Sequence, residues 1–380
     1  MSDLPSPDAE QPKKQVIEAV PPLSGESLRS QFGDRGQSFG SAELLKLTDA
    51  LKFAAKIYEP RHLNAPVGNS PVSTPLMPHA VEAACDLVAR GAPIHIVVAG
   101  LLHDSTKGFV RGSIQDLEAT IDRKFGPIAP GGKMSSFVHL VPPPAMDDRV
   151  GWLQRKDTVV TALLGEVDPA SLRGTPYSAE ERHFISRAAW ASHQLFEGAR
   201  PRPWGPDEQL SMFRHSAEVG LLLLGANQSS AVVAAGFMHD FYEGYVAHAP
   251  NATIERFVKE RFSGGVHELI RAVTEPPKSP NHRNWWDRKI AVLKSLENWD
   301  EGPNAIVCAS KISTMAEGNK FLFEGGSLKG WTAGSWRDNL TVFEMLRDLF
   351  VAKEVPPQLI ARYDIELDRW RSHENKTDIH

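Results

Sequence analysis

Residues 78–105 read PHAVEAACDLVARGAPIHIVVAGLLHDS, and residues 214–241 read RHSAEVGLLLLGANQSSAVVAAGFMHDF. Laid side by side without a gap, His79, Glu82, Leu87, Val97, Ala99, Gly100, His103 and Asp104 recur as His215, Glu218, Leu223, Val233, Ala235, Gly236, His239 and Asp240, at a constant offset of 136 positions. Chance likeness between two apolar helices explains the Leu, Val and Ala matches. It does not explain a histidine followed, 24 positions later, by a His-Asp pair in both copies. The pattern therefore predicts an internal duplication. Looser matches extend it: Phe125-Gly126 with Phe262 and the following Ser263-Gly264, Val141-Pro142-Pro143 with Glu275-Pro276-Pro277, and Trp152 to Lys156 with Trp285 to Lys289.

Around these stretches the apolar residues fall at helical spacing. Leu44, Leu47, Leu51, Ala54, Ala55 and Tyr58 draw one face of a helix, with Ser41 as its expected cap. Further helices are predicted over His79–Ala89, from Pro93 into His103-Asp104, around Phe184–Phe196, through His215, and over Ile254–Phe262, Val266–Val273, Trp286–Asn298 and Asn304–Ala316. Leu340, Phe343, Leu346, Leu349 and Phe350 add another. Only Val138–Val141 reads as a strand candidate, so the fold class is all-α. Residues 1–40, rich in Pro, Ser and Gly, read as a disordered or loosely packed arm. A first unit is expected over 41–175, a second and more complete one over 176–355, and a C-terminal tail over 356–380.

The chain has 380 residues, 41% of them apolar and 23% charged, which suits a large globular core. A formal charge of -5 gives no broad attraction to nucleic acid or acidic membranes. No apolar run is long enough to span a bilayer, and no basic, apolar leader follows Met1, so a cytoplasmic location is expected. Cys85 and Cys308 lack metal-binding spacing and read as buried thiols. There is no GxxxxGK[ST] loop, HExxH or GxGxxG.

The chemistry lies in the repeated histidines. A His from one helix and a His-Asp pair ending its neighbour can converge on one divalent ion, and imidazole with carboxylate suits Mn²⁺, Fe²⁺, Mg²⁺ or Zn²⁺. The candidate ligands are His215, His239 and Asp240, and in the first copy His79, His103 and Asp104. The other reading open to these residues is a relic site whose polar groups bond within the core.

This pattern resembles the HD superfamily of metal-dependent phosphohydrolases, most closely the hydrolase domain of RelA/SpoT-type guanosine tetraphosphate enzymes. The second copy carries the resemblance over about 184–345, through Phe184, His193-Gln194, His215, the run Ala234 to Glu243, Phe262 to Val266, Val273-Thr274-Glu275, Arg288-Lys289 and Ala309 to Ser313. The first copy is similar more weakly over about 50–160. The resemblance implies a tandem duplicated HD-domain helical fold, with His215, His239 and Asp240 as metal ligands, Mn²⁺ as the first choice of ion, and Glu243 and Lys311 as catalytic groups. Arg200, Arg202, Arg288 and Lys289 are candidate phosphate-binding cations, against pairing with neighbouring acids such as Asp287.

One departure matters. Where the family reads Ala-Asp-Lys and the Asp is the fourth ligand, this chain reads Ala309-Ser310-Lys311. In the first copy Ser105-Thr106-Lys107 replaces the acidic stretch, and Asp168 is a candidate carboxylate to complete a site there. The expected activity is hydrolysis of a small nucleotide or related phosphorylated metabolite. A non-catalytic nucleotide-binding or regulatory protein made of two degenerate units is the alternative. Oxygen-dependent chemistry at a two-iron centre, known in some relatives, would need more ligands than the sequence places. No nucleic acid or membrane partner is expected, and self-association is left open.

Overall fold

The computed structural model describes residues 38–58, 76–105, 113–126, 133–137, 149–165, 167, 172, 177–196, 202–203, 209–210, 212–243, 250–277, 279, 284–323 and 335–373. The described residues are helical apart from turns and one antiparallel ladder of two residues a side, Arg202–Pro203 against Gln209–Leu210. The fold class is therefore all-α. The expected N-terminal arm, apart from 38–40, and the strand candidate Val138–Val141 lie outside the described residues.

The N-terminal half contributes α1 (Ser41–Tyr58), α2 (Leu76–Ala89), α3 (Ile94–Leu102), α4 (Ile114–Phe125), α5 (Met134–Phe137) and α6 (Arg149–Gly165). The C-terminal half contributes α7 (Ala179–Phe196), α8 (Met212–Gly225), α9 (Ser230–Met238), α10 (Asn251–Arg261), α11 (Gly264–Val273), α12 (Trp285–Glu297), α13 (Glu301–Phe323), α14 (Trp336–Ala352) and α15 (Pro357–Arg371). Ser41 is the first helical residue of α1 and not its cap. The amide of Gly40 donates instead to the Glu43 carboxylate at 3.0 Å.

Two hairpins, α2–α3 and α8–α9, form the centre. Each first helix ends in the same way. Gly91 takes a left-handed conformation (φ 73°), the Ala92 amide reaches Leu87 O at 3.0 Å, and the Gly91 amide reaches Val88 O at 2.9 Å. In the second hairpin Asn227 (φ 56°) does this, with Gln228 N to Leu223 O and Asn227 N to Leu224 O, both at 3.0 Å. This is a Schellman ending, for which Gly and then Asn are the favoured residues. The short helices that follow, IHIVVAGLL and SAVVAAGFM, are apolar on nearly every side, so they are buried almost throughout.

The opening helices cross between the halves. α1 packs on α3 but also on α8, and α7 packs on α9 but also on α2. Phe53 of α1 meets Phe125 edge-on with ring centroids 5.6 Å apart, and Phe184 of α7 meets Phe262 in the same manner at 5.7 Å. One apolar cluster runs from Phe39 to Trp370 through both halves.

Two sequence expectations are revised. The Trp152–Lys156 stretch lies in α6, which packs on α2 and α3, the place that α13 takes against α8 and α9. Trp285–Lys289 instead opens α12 and packs toward α11 and α14, so the two tryptophan blocks occupy different places. The stretch read as a tail contains α15, whose Leu359, Tyr363, Leu367 and Trp370 are buried against α13 and α14. A buried pair, Arg362–Glu366 at 2.6 Å, together with the Asn319 amide on Glu366 at 2.8 Å, ties α15 to α13.

Close helix approach sets the hairpin geometry. A Cβ at Gly236 would run into Leu223 Cδ1, and one at Gly100 into Leu87 Cδ1, its counterpart. At Gly220 a Cβ would stand 2.6 Å from Phe237 Cδ2 and closer still to two further ring atoms. A buried ring cannot swing aside as an aliphatic tip can. Gly220→Ala should therefore cost about 1–3 kcal/mol by overpacking, despite the better helix propensity of alanine. Thermal unfolding checks this, and an unchanged or higher midpoint would contradict the packing described.

Candidate metal centres

Both His-Asp pairs sit where a short apolar helix ends. His103 is the C-terminal cap residue of α3, and His239 that of α9. The last carbonyls of a helix lack intrahelical donors. Here a ring nitrogen supplies one: His103 Nδ1 lies 2.7 Å from Gly100 O, and His239 Nδ1 lies 2.9 Å from Gly236 O. A carbonyl only accepts, so Nδ1 carries a proton in both rings, and in the neutral ring Nε2 presents its lone pair.

In the C-terminal half, His215 comes from α8, one turn into the neighbouring helix. Its Nδ1 lies 3.0 Å from Ser313 Oγ of α13, and that hydroxyl donates onward to Glu218 Oε2 at 2.9 Å. A serine hydroxyl has one proton. Since it goes to the carboxylate, Ser313 accepts from His215 Nδ1–H, and His215 Nε2 is also an acceptor. His215 Nε2 lies 3.3 Å from His239 Nε2. The Asp240 carboxylate stands 3.2 Å from His239 Nε2 and 3.8 Å from His215 Nε2. Three buried acceptors thus face one another, an arrangement that a cation satisfies.

The N-terminal half repeats this with His79, His103 and Asp104, all buried. His103 Nε2 lies 3.3 Å from Asp104 Oδ2, and the His79 and His103 rings are 4.9 Å apart. Tyr58 braces the centre from α1. Its hydroxyl donates to Leu101 O at 3.0 Å and accepts from the Asp104 amide at 3.2 Å. In each triad the candidate ligand atoms lie within 4.8 Å of one another. The negative pole of α3 or α9 adds to the preference for a cation.

The other candidates fall in three groups. Glu243 lies in the turn after Asp240, its amide 3.2 Å from Asp240 O, and its carboxylate accepts from the Glu275 amide at 3.0 Å. Loss of hydration first, then the Asp240 charge, push its carboxyl up to about 7, with the Lys311 charge acting in the opposite direction. Arg288 pairs with Glu275 at 2.8 Å, and Lys289 pairs with the same carboxylate. Asp287 completes a capping box with Asn284. Arg200 and Asp168 lie outside the described residues, and Arg202 is described only as backbone of the two-residue ladder. Ser310 is buried, with Oγ 3.4 Å from His215 Nε2.

Sequence reading missed Ser313, Tyr58, Glu275 and Lys52 as parts of these centres. Glu218 and Glu82 were matched in the repeat without a role. Their signal was legible: a buried acid one turn beyond each histidine, on an otherwise apolar helix face.

The raised Glu243 carboxyl has a consequence for stability. A carboxyl that binds its proton more tightly folded than unfolded contributes stability below about pH 4.5, and that stability is lost as pH rises through about 7. In chelator-treated protein, Glu243→Gln should therefore gain on the parent between pH 5 and pH 8, by on the order of 1–3 kcal/mol. Parallel melting-temperature profiles for the two proteins would rule out the raised carboxyl.

Comparison with known proteins adds little. The chain matches no family model and no curated protein. A crystal structure of lmo0812 from Listeria monocytogenes EGD-e is similar at 18% identity, over 40% of this chain and 96% of that one, with a TM-score of 0.35. A likeness of that size carries no argument about fold or function.

Proposed function

We propose that this chain is a metal-dependent phosphohydrolase of the HD type, built from two tandem divergent copies, acting on a small nucleotide or related phosphorylated metabolite. One observation carries the reading: His215 Nε2, His239 Nε2 and the Asp240 carboxylate meet as acceptors in a buried site. The shared Schellman endings, cap histidines and edge-on phenylalanine pairs support the duplication.

His215, His239 and Asp240 would hold a divalent ion, with Mn²⁺ the first choice among ions that accept nitrogen and oxygen together. Such an ion supplies a Lewis acid and lowers the pKa of water it binds. Glu243 suits proton transfer near neutral pH, because its carboxyl is raised to about 7. It would take the proton of the attacking water as the P–O bond to the leaving group breaks, then return that proton to the leaving oxygen. Lys311 would offset phosphate charge as a point cation. Glu275 holds Arg288 and Lys289 while its amide holds Glu243, so substrate phosphate would compete with Glu275 for those two cations.

Ser310 favours the second reading, a non-catalytic nucleotide-binding or regulatory protein made of two degenerate units. A neutral hydroxyl stands beside His215 Nε2, where the resemblance leads one to expect a carboxylate. Two experiments separate the readings. Untagged protein loaded with Mn²⁺ and dialysed should retain near-stoichiometric metal, and His239→Ala or Asp240→Asn should lower retention at least about tenfold. Loss of no metal in either variant would refute the centre. A phosphate-release screen across nucleotides should then show turnover that vanishes in Asp240→Asn. Binding without release would select the regulatory reading. Under either reading Ser310→Asp should tighten Mn²⁺ binding, because it adds a charged oxygen donor to the set.

A further inference from the structure

The cluster behind His215 reaches into the other half of the molecule. Glu218 is fully buried on α8, and Lys52 of α1 places Nζ 3.3 Å from Glu218 Oε1. The other oxygen of that carboxylate accepts the Ser313 hydroxyl at 2.9 Å, and Ser313 Oγ faces His215 Nδ1 at 3.0 Å. The order of donors along this chain is fixed from its far end. The Glu218 carboxylate faces the ammonium with one oxygen and accepts the Ser313 hydroxyl with the other, so Ser313 donates to Glu218 and accepts from His215.

We infer that Lys52 is a positioning residue for the C-terminal triad: it anchors the Glu218 carboxylate, and through Ser313 this holds the proton of His215 on Nδ1 and its lone pair on Nε2. The N-terminal helix is thus part of the other half's site. Without the ammonium, the buried carboxylate loses the cation that fixes it, and the Ser313 hydroxyl is no longer held toward it. Once Ser313 turns its own proton toward Nδ1, the His215 proton sits on Nε2, where no ion can bind. In the first triad the corresponding acid takes a donor from a different helix. There Glu82, the counterpart of Glu218, accepts from Ser186 of α7 at 2.9 Å, so the crossed helix supplies a neutral donor.

The inference rests on the metal-centre reading only for its functional consequence, so its test begins without metal. Nitrogen-15 spectra of the imidazoles in chelator-treated protein report which ring nitrogen of His215 is protonated. The parent should show the Nδ1–H form. Lys52→Met should shift His215 toward Nε2–H, Glu218→Gln should do the same because the amide can donate, and Lys52→Arg should restore the parent spectrum. His103 should be unmoved in all of them. An unchanged His215 tautomer in folded Lys52→Met and in Glu218→Gln would overturn the inference. Mn²⁺ binding is the second readout. Affinity should fall about 10- to 100-fold in Lys52→Met and recover in Lys52→Arg. If Mn²⁺ fails to bind the parent while the tautomer shift is seen, the hydrolase reading falls and the positioning role stands.

Discussion

Everything in the site follows from acceptors gathered where water is scarce. An imidazole lone pair, a second imidazole lone pair and a carboxylate, 3.2 to 3.8 Å from one another, cannot satisfy each other. Burial makes this costly, because acceptors set against one another have given up hydration that they do not return to each other. A divalent ion reverses the sign of that cost. Such a site is expensive without a cation and stabilising with one, and its position at the carboxyl end of a helix reinforces the preference.

The surrounding fold can be understood as what keeps that meeting point fixed. Gly236 lets α9 lie close against α8, and Gly220 makes room for the Phe237 ring. The left-handed Asn227 closes the turn between the two helices in the same way as Gly91 does between α2 and α3. α13 then lies across both helices and brings Ser310 and Ser313 to His215. The long helices α14 and α15 brace α13 from behind, with the Arg362–Glu366–Asn319 cluster as their polar connection. Precise placement of a few side chains thus depends on helix contacts far from them.

Much of this was legible in the sequence because the histidines repeat at fixed spacing and the apolar residues fall at helical period. The element boundaries near His79, His103, His215 and His239 follow directly from that pattern. What could not be read were contacts made across the chain. Nothing local marks Lys52 as the partner of Glu218, or Tyr58 as the brace on Asp104, since both depend on how α1 crosses the hairpins. The Trp-x-x-Arg-Lys likeness misled for a related reason: similar local sequence opens α12 in one half and lies inside α6 in the other, where packing partners differ. α15 was missed because its charged residues, Asp364, Glu366, Asp368, Arg369 and Arg371, obscure an apolar stripe of Leu359, Tyr363, Leu367 and Trp370.

The most direct test is anomalous diffraction at the manganese edge from crystals soaked in Mn²⁺. The account predicts a peak between His215 Nε2, His239 Nε2 and the Asp240 carboxylate, with both imidazoles bound through Nε2. A map with no peak there at full soak, or histidine side chains turned away from a common point, would contradict it.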